Sequence, residues 1–510
     1  MMTLLPLLSS IALAQEPQVY NVEVPEELAA FDRTQMPGPL PRRDFQLPTL
    51  QNASLSNGIE VLLAEDHDQP LVRVRVVVEA GSFNDPEGRE GLAATTFDLL
   101  NEGAGGMDAL MLSAELKKLA TSLSSTASRD GAYVSIDSLT RNLEPSLDLM
   151  AKVLLSPDFP KAEWERIRKQ RIQDVKAART DPGRIAKRTL ARTLFGSAYA
   201  GRFPTEASYQ AISVDDMQDW AAKHIVPGNA RVLVSGDTTL ETILPLLESR
   251  FGSWNGEGST PSPTPVLHQP EETVIYAVHK PGAAQSVIRM GRFVGSKTDP
   301  EYTDLQLGNH AFGGMFMARL NMNLREDKGY TYGARSSLYS DYSGSRWELG
   351  TSVKTDVTGA SITEILGELH DIGGGAPEAQ LCRFFQKLFG NCPPPIQPAA
   401  DRPIDTKEAD YAKSNEIRGY PARFEQPDYL LNQTSLMLRY DLPKDWLGGY
   451  IDRVDAVTAE KAQTAFAEKV ATKNWAIVVV GDLETIGPQL QEFGFPVVQM
   501  DVDGNRLPEE

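Results

Sequence analysis

RVLVSGDTTLETILPLLESRFG (Arg231–Gly252) and AIVVVGDLETIGPQLQEFG (Ala476–Gly494) spell the same unit twice. Each reads as a buried apolar strand, a Gly-Asp turn, and an amphipathic helix with Leu and Ile at helical spacing. Asp237 and Asp482, in the two turns, are 245 residues apart. Upstream, DPGRIAKRTLARTLFG from Asp181 matches QPDYLLNQTSLMLRYDLP from Gln426, with Pro182 and Pro427 at that same separation. Two anchors at one offset indicate a tandem duplication.

Further upstream the offset changes. VRVVVEAGSFNDPEGREGLAATTF, containing Asp85, parallels SVIRMGRFVGSKTDPEYTDLQLGNHAF, containing Asp299, at a separation of 214. The second copy therefore carries about 31 additional residues before Pro427, placed at about 373–410, a stretch rich in Gly, Pro and Ala. That insertion holds the two cysteines, Cys382 and Cys392. In an exported chain two thiols point to a disulfide, which would close a small loop and staple a segment poor in apolar residues. Each copy opens with strands, runs through helices and returns to a strand and helix. The expected fold is α+β, two tandem homologous α/β sandwich domains in which helices pack an antiparallel-rich sheet. The boundaries are 45–254 and 273–495, with a linker at 255–272 (NGEGSTPSPTPVLHQPEE) whose Pro, Ser and Gly form no packed element. Residues 15–44 form a lead segment and 496–510 a tail.

Composition narrows the function. The 510 residues are 41% hydrophobic and 23% charged, as expected of a globular chain long enough for more than one domain. Acidic residues outnumber basic ones by 69 to 50, a net charge of −19, which repels nucleic acid and anionic lipid. The charged helix PKAEWERIRKQRIQDVKAAR (Pro160–Arg179) reads as a solvated face. At the N-terminus an apolar stretch ends in Ala12-Leu13-Ala14, so residues 1–14 read as a secretory signal without the usual basic start. No later apolar run approaches the roughly 18 residues needed to span a bilayer. The expected location is periplasmic or secreted.

SLSNGIEVLLAEDHDQPLVRVRVVVEAGSFNDPEGREGLA in the first copy and GNHAFGGMFMARLNMNLREDKGYTYGARS in the second resemble the pitrilysin/insulinase family of zinc metallopeptidases, the inverzincins. The resemblance runs from about Phe45 to Phe495. It implies that the two domains form one half of a clam-like shell, and that a complete peptidase needs two halves. Active halves carry H-x-x-E-H on a helix just after Gly-Leu-Ala. Two His at i and i+4 bind zinc, and the Glu beside the second His activates the bound water. On this sequence the two His positions fall on Ala94 and Asp98, the base on Phe97 and a further ligand on Asp174. Alanine has no donor atom and phenylalanine takes no proton. Two aspartates without imidazole or thiolate hold zinc poorly, so Asp98 is expected to pair with a nearby Lys or Arg instead. No H-x-x-E-H or H-E-x-x-H occurs anywhere, and no two of the six histidines are three to five residues apart.

The second copy keeps what the first has lost. The family completes its chamber with an Arg and a Tyr seven residues apart, and LREDKGYTYG supplies Arg325 and Tyr332. The resemblance implies that Arg325 holds a peptide carbonyl or carboxylate and that Tyr332 donates to a developing oxyanion. The plainer alternative has Arg325 paired with Glu326 or Asp327 and Tyr332 in the core. The implied function is the non-metal subunit of a heterodimeric zinc metallopeptidase, with no cofactor of its own. Zinc and H-x-x-E-H would belong to a homologous partner, and the substrates would be peptides. The alternative is a catalytically inert pseudopeptidase with a structural or peptide-binding role. In the partner an edge strand would hold substrate, and the edge of the corresponding strand here, around Val72–Glu79, would help in binding.

Overall fold

The strand LVRVRVVV (Leu71–Val78) alternates so that Val72, Val74, Val76 and Val78 share one face while Arg73, Arg75 and Val77 share the other. The valines are buried, but so is Arg75, at 2% exposure. Both faces of this strand are therefore covered, and what covers each of them defines the architecture.

The computed structural model describes residues 45–47, 49–258, 270–373, 402–471 and 474–508. The expected signal and lead segments, Cys382, Cys392 and most of the expected insertion lie outside the described residues. In chain order the first lobe contributes β1 (Leu50–Ser54), β2 (Glu60–Glu65), β3 (Leu71–Val78), the short ribbon β4 (Gly103–Ala104) and β5 (Met107–Asp108), β6 (Ser122–Ala127), β7 (Ala132–Leu139) and β8 (Ala230–Gly236). The second contributes β9 (Val274–His279), β10 (Gln285–Gly295), β11 (Thr331–Asp341), β12 (Gly344–Lys354), β13 (Ala476–Gly481) and β14 (Val497–Met500). The first sheet runs β1-β2-β8-β3-β7-β6 and the second β11-β12-β10-β13-β9-β14. Five strands repeat in the same spatial order, and among them each sheet has one parallel pair (β2 with β8, β9 with β13) and antiparallel pairs otherwise; β14 adds a second parallel pair beside β9.

Two expectations change. The strand around Val72–Glu79 is not an edge, because β3 is hydrogen-bonded to β8 on one side and β7 on the other. The first sheet's edges are β1 and β6. Residues beyond 495 are no mere tail, because β14 adds to the second sheet beside β9. At the described end of the expected insertion, Asp405 caps the helix Thr406–Phe424 by accepting from Glu408 N at 2.8 Å.

Each sheet packs its own helices on one face and a helix from the other copy on the second. Below the first sheet, Leu92–Leu100, Leu143–Leu155 and Leu240–Phe251 close over Val61, Val72, Val74, Val76 and Val232. On the opposite face Pro427–Arg439 lies against β3 and β8. Arg75 donates from Nη1 to Asn432 at 2.6 Å and from Nη2 to Asp428 at 2.8 Å, with its guanidinium 4.3 Å from the Tyr133 ring centroid. The reciprocal helix, Pro182–Phe195, seats Ile185, Leu190, Leu194 and Phe195 against Val278, Val478 and Val480 of the second sheet. That is why AIVVVG in β13 is buried at every position, with Ile477 and Val479 facing one core and Ala476, Val478 and Val480 the other. Each such side chain contributes about 1.5–3 kcal/mol on burial.

Gly291 in β10 makes the close approach available, because a Cβ there would stand 3.1 Å from both Leu190 methyls. Gly291→Val is expected to lower the unfolding free energy by about 1–3 kcal/mol by overpacking this contact. Urea denaturation checks it, with Gly367→Ala, which meets nothing within 4 Å, as the control.

Candidate functional site

The helix Leu92–Leu100 starts at Gly91, whose φ of 102° and proximity to the Tyr209 ring (2.8 Å from an added Cβ) admit only glycine. Asp85 satisfies the helix start by accepting from Gly91 N at 2.9 Å and Ala93 N at 2.8 Å. The buried hydroxyls of Thr95 and Thr96 turn back to the helix's own carbonyls, Gly91 O at 2.9 Å and Leu92 O at 2.8 Å. Neither is aimed at a ligand. Phe97 is fully buried and meets the Trp220 ring edge-on with centroids 6.1 Å apart.

Arg171 stands between the two aspartates. Its Nε donates to Asp98 Oδ2 at 3.1 Å, its Nη2 bonds the same oxygen, and its Nη1 is 4.0 Å from Asp174. The structure thus brings Asp98 and Asp174 together around a guanidinium, with Ala94 one turn before Asp98 contributing no donor. The family's zinc does not fit this set: two carboxylates already share a fixed cation, and no imidazole or thiolate joins them. Among the described residues no group of three or more His, Cys, Asp or Glu could hold a metal ion. Three of the histidines are engaged elsewhere, His67 with Asp237 at 2.7 Å, His224 against Trp220 and His310 with Glu416 at 3.2 Å.

The second lobe holds Arg325 and Tyr332. Two π-helical turns, His310–Gly314 and Met322–Asp327, flank a short helical segment, and Arg325 lies in the latter. Such widened turns favour functional sites because they redirect side chains. Arg325 pairs with Glu326 at 3.2 Å and lies 4.8 Å from the Phe316 ring centroid. Tyr332 is 89% exposed, not in the core, and sits where β11 slips register between Thr331 and Ala334. Phe316 and Met317 are exposed as well. Buried Asn321 ties this region together, accepting from Ala334 N at 3.1 Å and donating to Phe316 O at 2.8 Å. Asn321 escapes a sequence reading because a polar residue in ARLNMNLRED looks like solvated helix. Arg171 was closer to legible, lying three residues before Asp174 on one charged helix.

A model of the insulinase family (Peptidase family M16) matches residues 60–202, and one of the Peptidase M16 inactive domain matches 211–381. The chain belongs to the insulinase family. It is a member that lacks the family's metal-binding residues. It is 21% identical over 323 residues to an uncharacterized zinc protease, YmxG, of Bacillus subtilis, covering 62% of this chain and 76% of that one. With the non-peptidase homolog YmxG of Helicobacter pylori it shares 23% identity over 193 residues, 38% of this chain and 45% of that one. With the mouse mitochondrial-processing peptidase subunit beta it shares 22% over 224 residues, again spanning 45% of that protein. Among solved structures, a peptidase M16 inactive domain from Pseudomonas fluorescens superposes with a TM-score of 0.71 at 23% identity, covering 85% of this chain and 98% of that one. The periplasmic protease PqqL of Escherichia coli gives 0.69 at 16% identity, with 86% of this chain on 46% of that one. These likenesses establish the fold, half of a clam-like shell. No helix among the described residues is long and apolar enough to cross a membrane.

Phe97→Glu, which returns a carboxylate to the base position, is expected to destabilise the chain by more than about 3 kcal/mol, because it empties a core site and buries a charge there. Calorimetry measures the loss, and metal analysis of the variant is expected to show no stoichiometric zinc. Asp85 yields a pH prediction. Burial pushes its carboxyl up to about 7, against the pull of the Ala93 and Gly91 amides and Arg202. Its contribution to stability is complete below about pH 3.8 and is lost as the pH rises through 7. Asp85→Asn is expected to flatten that fall in urea denaturation between pH 4 and 8.

Proposed function

We propose that this chain is the non-metal half of a two-part, exported zinc peptidase, donating Arg325 and Tyr332 to a homologous partner that carries H-x-x-E-H and the metal. The observation that carries this reading is the contrast between the two lobes. The position of the catalytic base holds a buried Phe97 and Asp98 is neutralised by Arg171, whereas Tyr332 stands 89% exposed at a strand bulge with Arg325 seven residues before it. A hydroxyl left in solvent on a rigid strand has no packing role to explain it. It can donate to the oxyanion of a peptide under attack, and Arg325 can hold a neighbouring carbonyl or carboxylate through its planar fork. That this chain aligns with a little under half of PqqL is in keeping with a half-shell that needs a second half.

A second reading, an inert peptide-binding or structural component, is favoured by the Arg325–Glu326 ion pair, which already occupies the guanidinium. One experiment separates the two. The purified chain is expected to cleave no peptide alone and to restore cleavage when mixed with an H-x-x-E-H-bearing homologue from the same genome. In that mixture Tyr332→Phe is expected to lower kcat by about 10²–10³-fold, the usual cost of one oxyanion donor, and Arg325→Ala to raise KM. If both variants form the complex and cleavage is unchanged, the inert reading stands.

A further inference from the structure

The two sheets meet at the tips of equivalent hairpins. Between β6 and β7 the chain turns through Ser128, Arg129, Asp130 and Gly131, and between β11 and β12 it turns from Asp341 to Gly344. Arg129 crosses from one tip to the other, donating from Nη1 to Asp341 Oδ2 at 3.1 Å, while its Nη2 reaches Ala200 O at 3.2 Å. Asp341 Oδ2 also accepts from Arg346 Nη1 at 2.7 Å. The ends of both exchanged helices close the same point. Tyr199, just after Pro182–Phe195, donates to Asp130 Oδ1 at 3.0 Å. Arg439, the last residue of Pro427–Arg439, approaches so closely that a Cβ on Gly131 would lie 2.9 Å from its Nη2. Phe83, two residues before Asp85, sets its ring edge-on against Tyr199 at 6.1 Å and Tyr342 at 5.6 Å.

Two carboxylates are buried here, Asp130 at 5% and Asp341 at 6% exposure. The groups acting on Asp130 come from every element packed at the junction. They are Arg129 on its own hairpin, Asp341 and Tyr342 on the facing tip, Tyr199 after one exchanged helix, and Arg439 and Tyr440 at the end of the other. Like charges brought together in low dielectric cannot both ionise freely.

We propose that this junction is a proton-sensitive joint between the two lobes: a proton on Asp130 removes one of two like charges and tightens the contact between the hairpin tips, and its loss loosens them. Burial first, and then the charge of Asp341, push the Asp130 carboxyl up to about 6, against Arg439, Tyr199 and Arg129. The folded chain therefore holds this proton more tightly than the unfolded chain. The joint's stabilisation is complete below about pH 3.8 and is lost as the pH rises through 6. Because β11 runs from Tyr332 to Asp341 and the tip beyond it, the joint anchors the far end of the strand that presents Tyr332. That consequence rests on the proposed function, but the joint itself does not.

Amide hydrogen exchange on the isolated full chain tests it, at pH 5 and pH 7.5 after correction for intrinsic exchange rates. Protection of the segments 126–133 and 339–346 is expected to fall about tenfold or more between the two pH values. Asp130→Asn is expected to keep the acid level of protection at both, and Asp85→Asn to leave the change in these segments as it is in the wild type. Equal wild-type protection at both pH values overturns the proposal, as does an Asp130→Asn variant with the wild-type change. If Asp130→Asn does not fold, Asp341→Asn replaces it. Removing the facing charge is expected to shift the midpoint to lower pH, and an unmoved midpoint overturns the joint.

Discussion

Everything in this molecule depends on the exchange of two helices between its lobes. A sheet buried on both faces needs a cover on each, and each copy's own helices close only one. The remaining face of the second sheet is closed by Ile185, Leu190, Leu194 and Phe195 of the first copy. The remaining face of the first is closed by the second copy's Pro427–Arg439 helix, anchored on buried Arg75 through Asp428 and Asn432. Neither lobe has a complete core without the other, so the pair folds as one compact unit from Phe45 to Glu510. The two seats differ in chemistry. The second sheet's seat is apolar, while the first adds to Ala64, Leu430 and Met437 a desolvated guanidinium held by a carboxylate, an amide and the Tyr133 ring. Such a pairing adds directional constraint to what would otherwise be a sliding apolar contact.

The same frame explains how a metal helix persists without a metal. Leu92, Phe97, Leu99 and Leu100 belong to the first lobe's core, so the helix is retained for packing whatever its polar face carries. Asp98 and Asp174 carry like charges, and Arg171 supplies the positive charge between them. The substitution is self-consistent at each position: Phe97 fills volume against Trp220, the threonine hydroxyls cap their own carbonyls, and Asp98 is neutralised from the neighbouring helix. In the second lobe the polar investment lies instead in Asn309 and Asn321. Asn309 accepts from Ser336 at 2.7 Å and Trp347 at 2.9 Å, and Asn321 binds the Phe316 carbonyl and the Ala334 amide. Together they hold the π turns and the start of β11, from which Tyr332 projects.

Much of this was legible in one dimension because it depends on local spacing. The repeated strand, Gly-Asp turn and helix, the offsets between copies, and the loss of histidine from the Gly-Leu-Ala helix are properties of neighbours in the chain. The paired status of Asp98 was legible too, since a lone carboxylate beside an arginine-rich helix finds a guanidinium. What escaped reading is non-local. The sequence of β3 does not say that it lies between β7 and β8, so Val72–Glu79 looked like an available edge. Asn321 and Asp130 look like ordinary turn and helix residues, and only burial against distant segments makes them consequential.

By itself, then, the sequence determined the duplicated α/β framework, the absence of an H-x-x-E-H motif and the seven-residue spacing of Arg325 and Tyr332, because residue identity and short-range periodicity suffice for each. Tertiary structure alone decided which helix covers which sheet, that Arg171 sits between Asp98 and Asp174, that Tyr332 faces solvent, and that Asp130 and Asp341 meet. The physical reason is that burial, charge pairing and proton affinity belong to contacts between segments tens to hundreds of residues apart. They exist only once the chain has folded, and the contact of Asp130 with the facing tip only once the two lobes have closed on each other's helices.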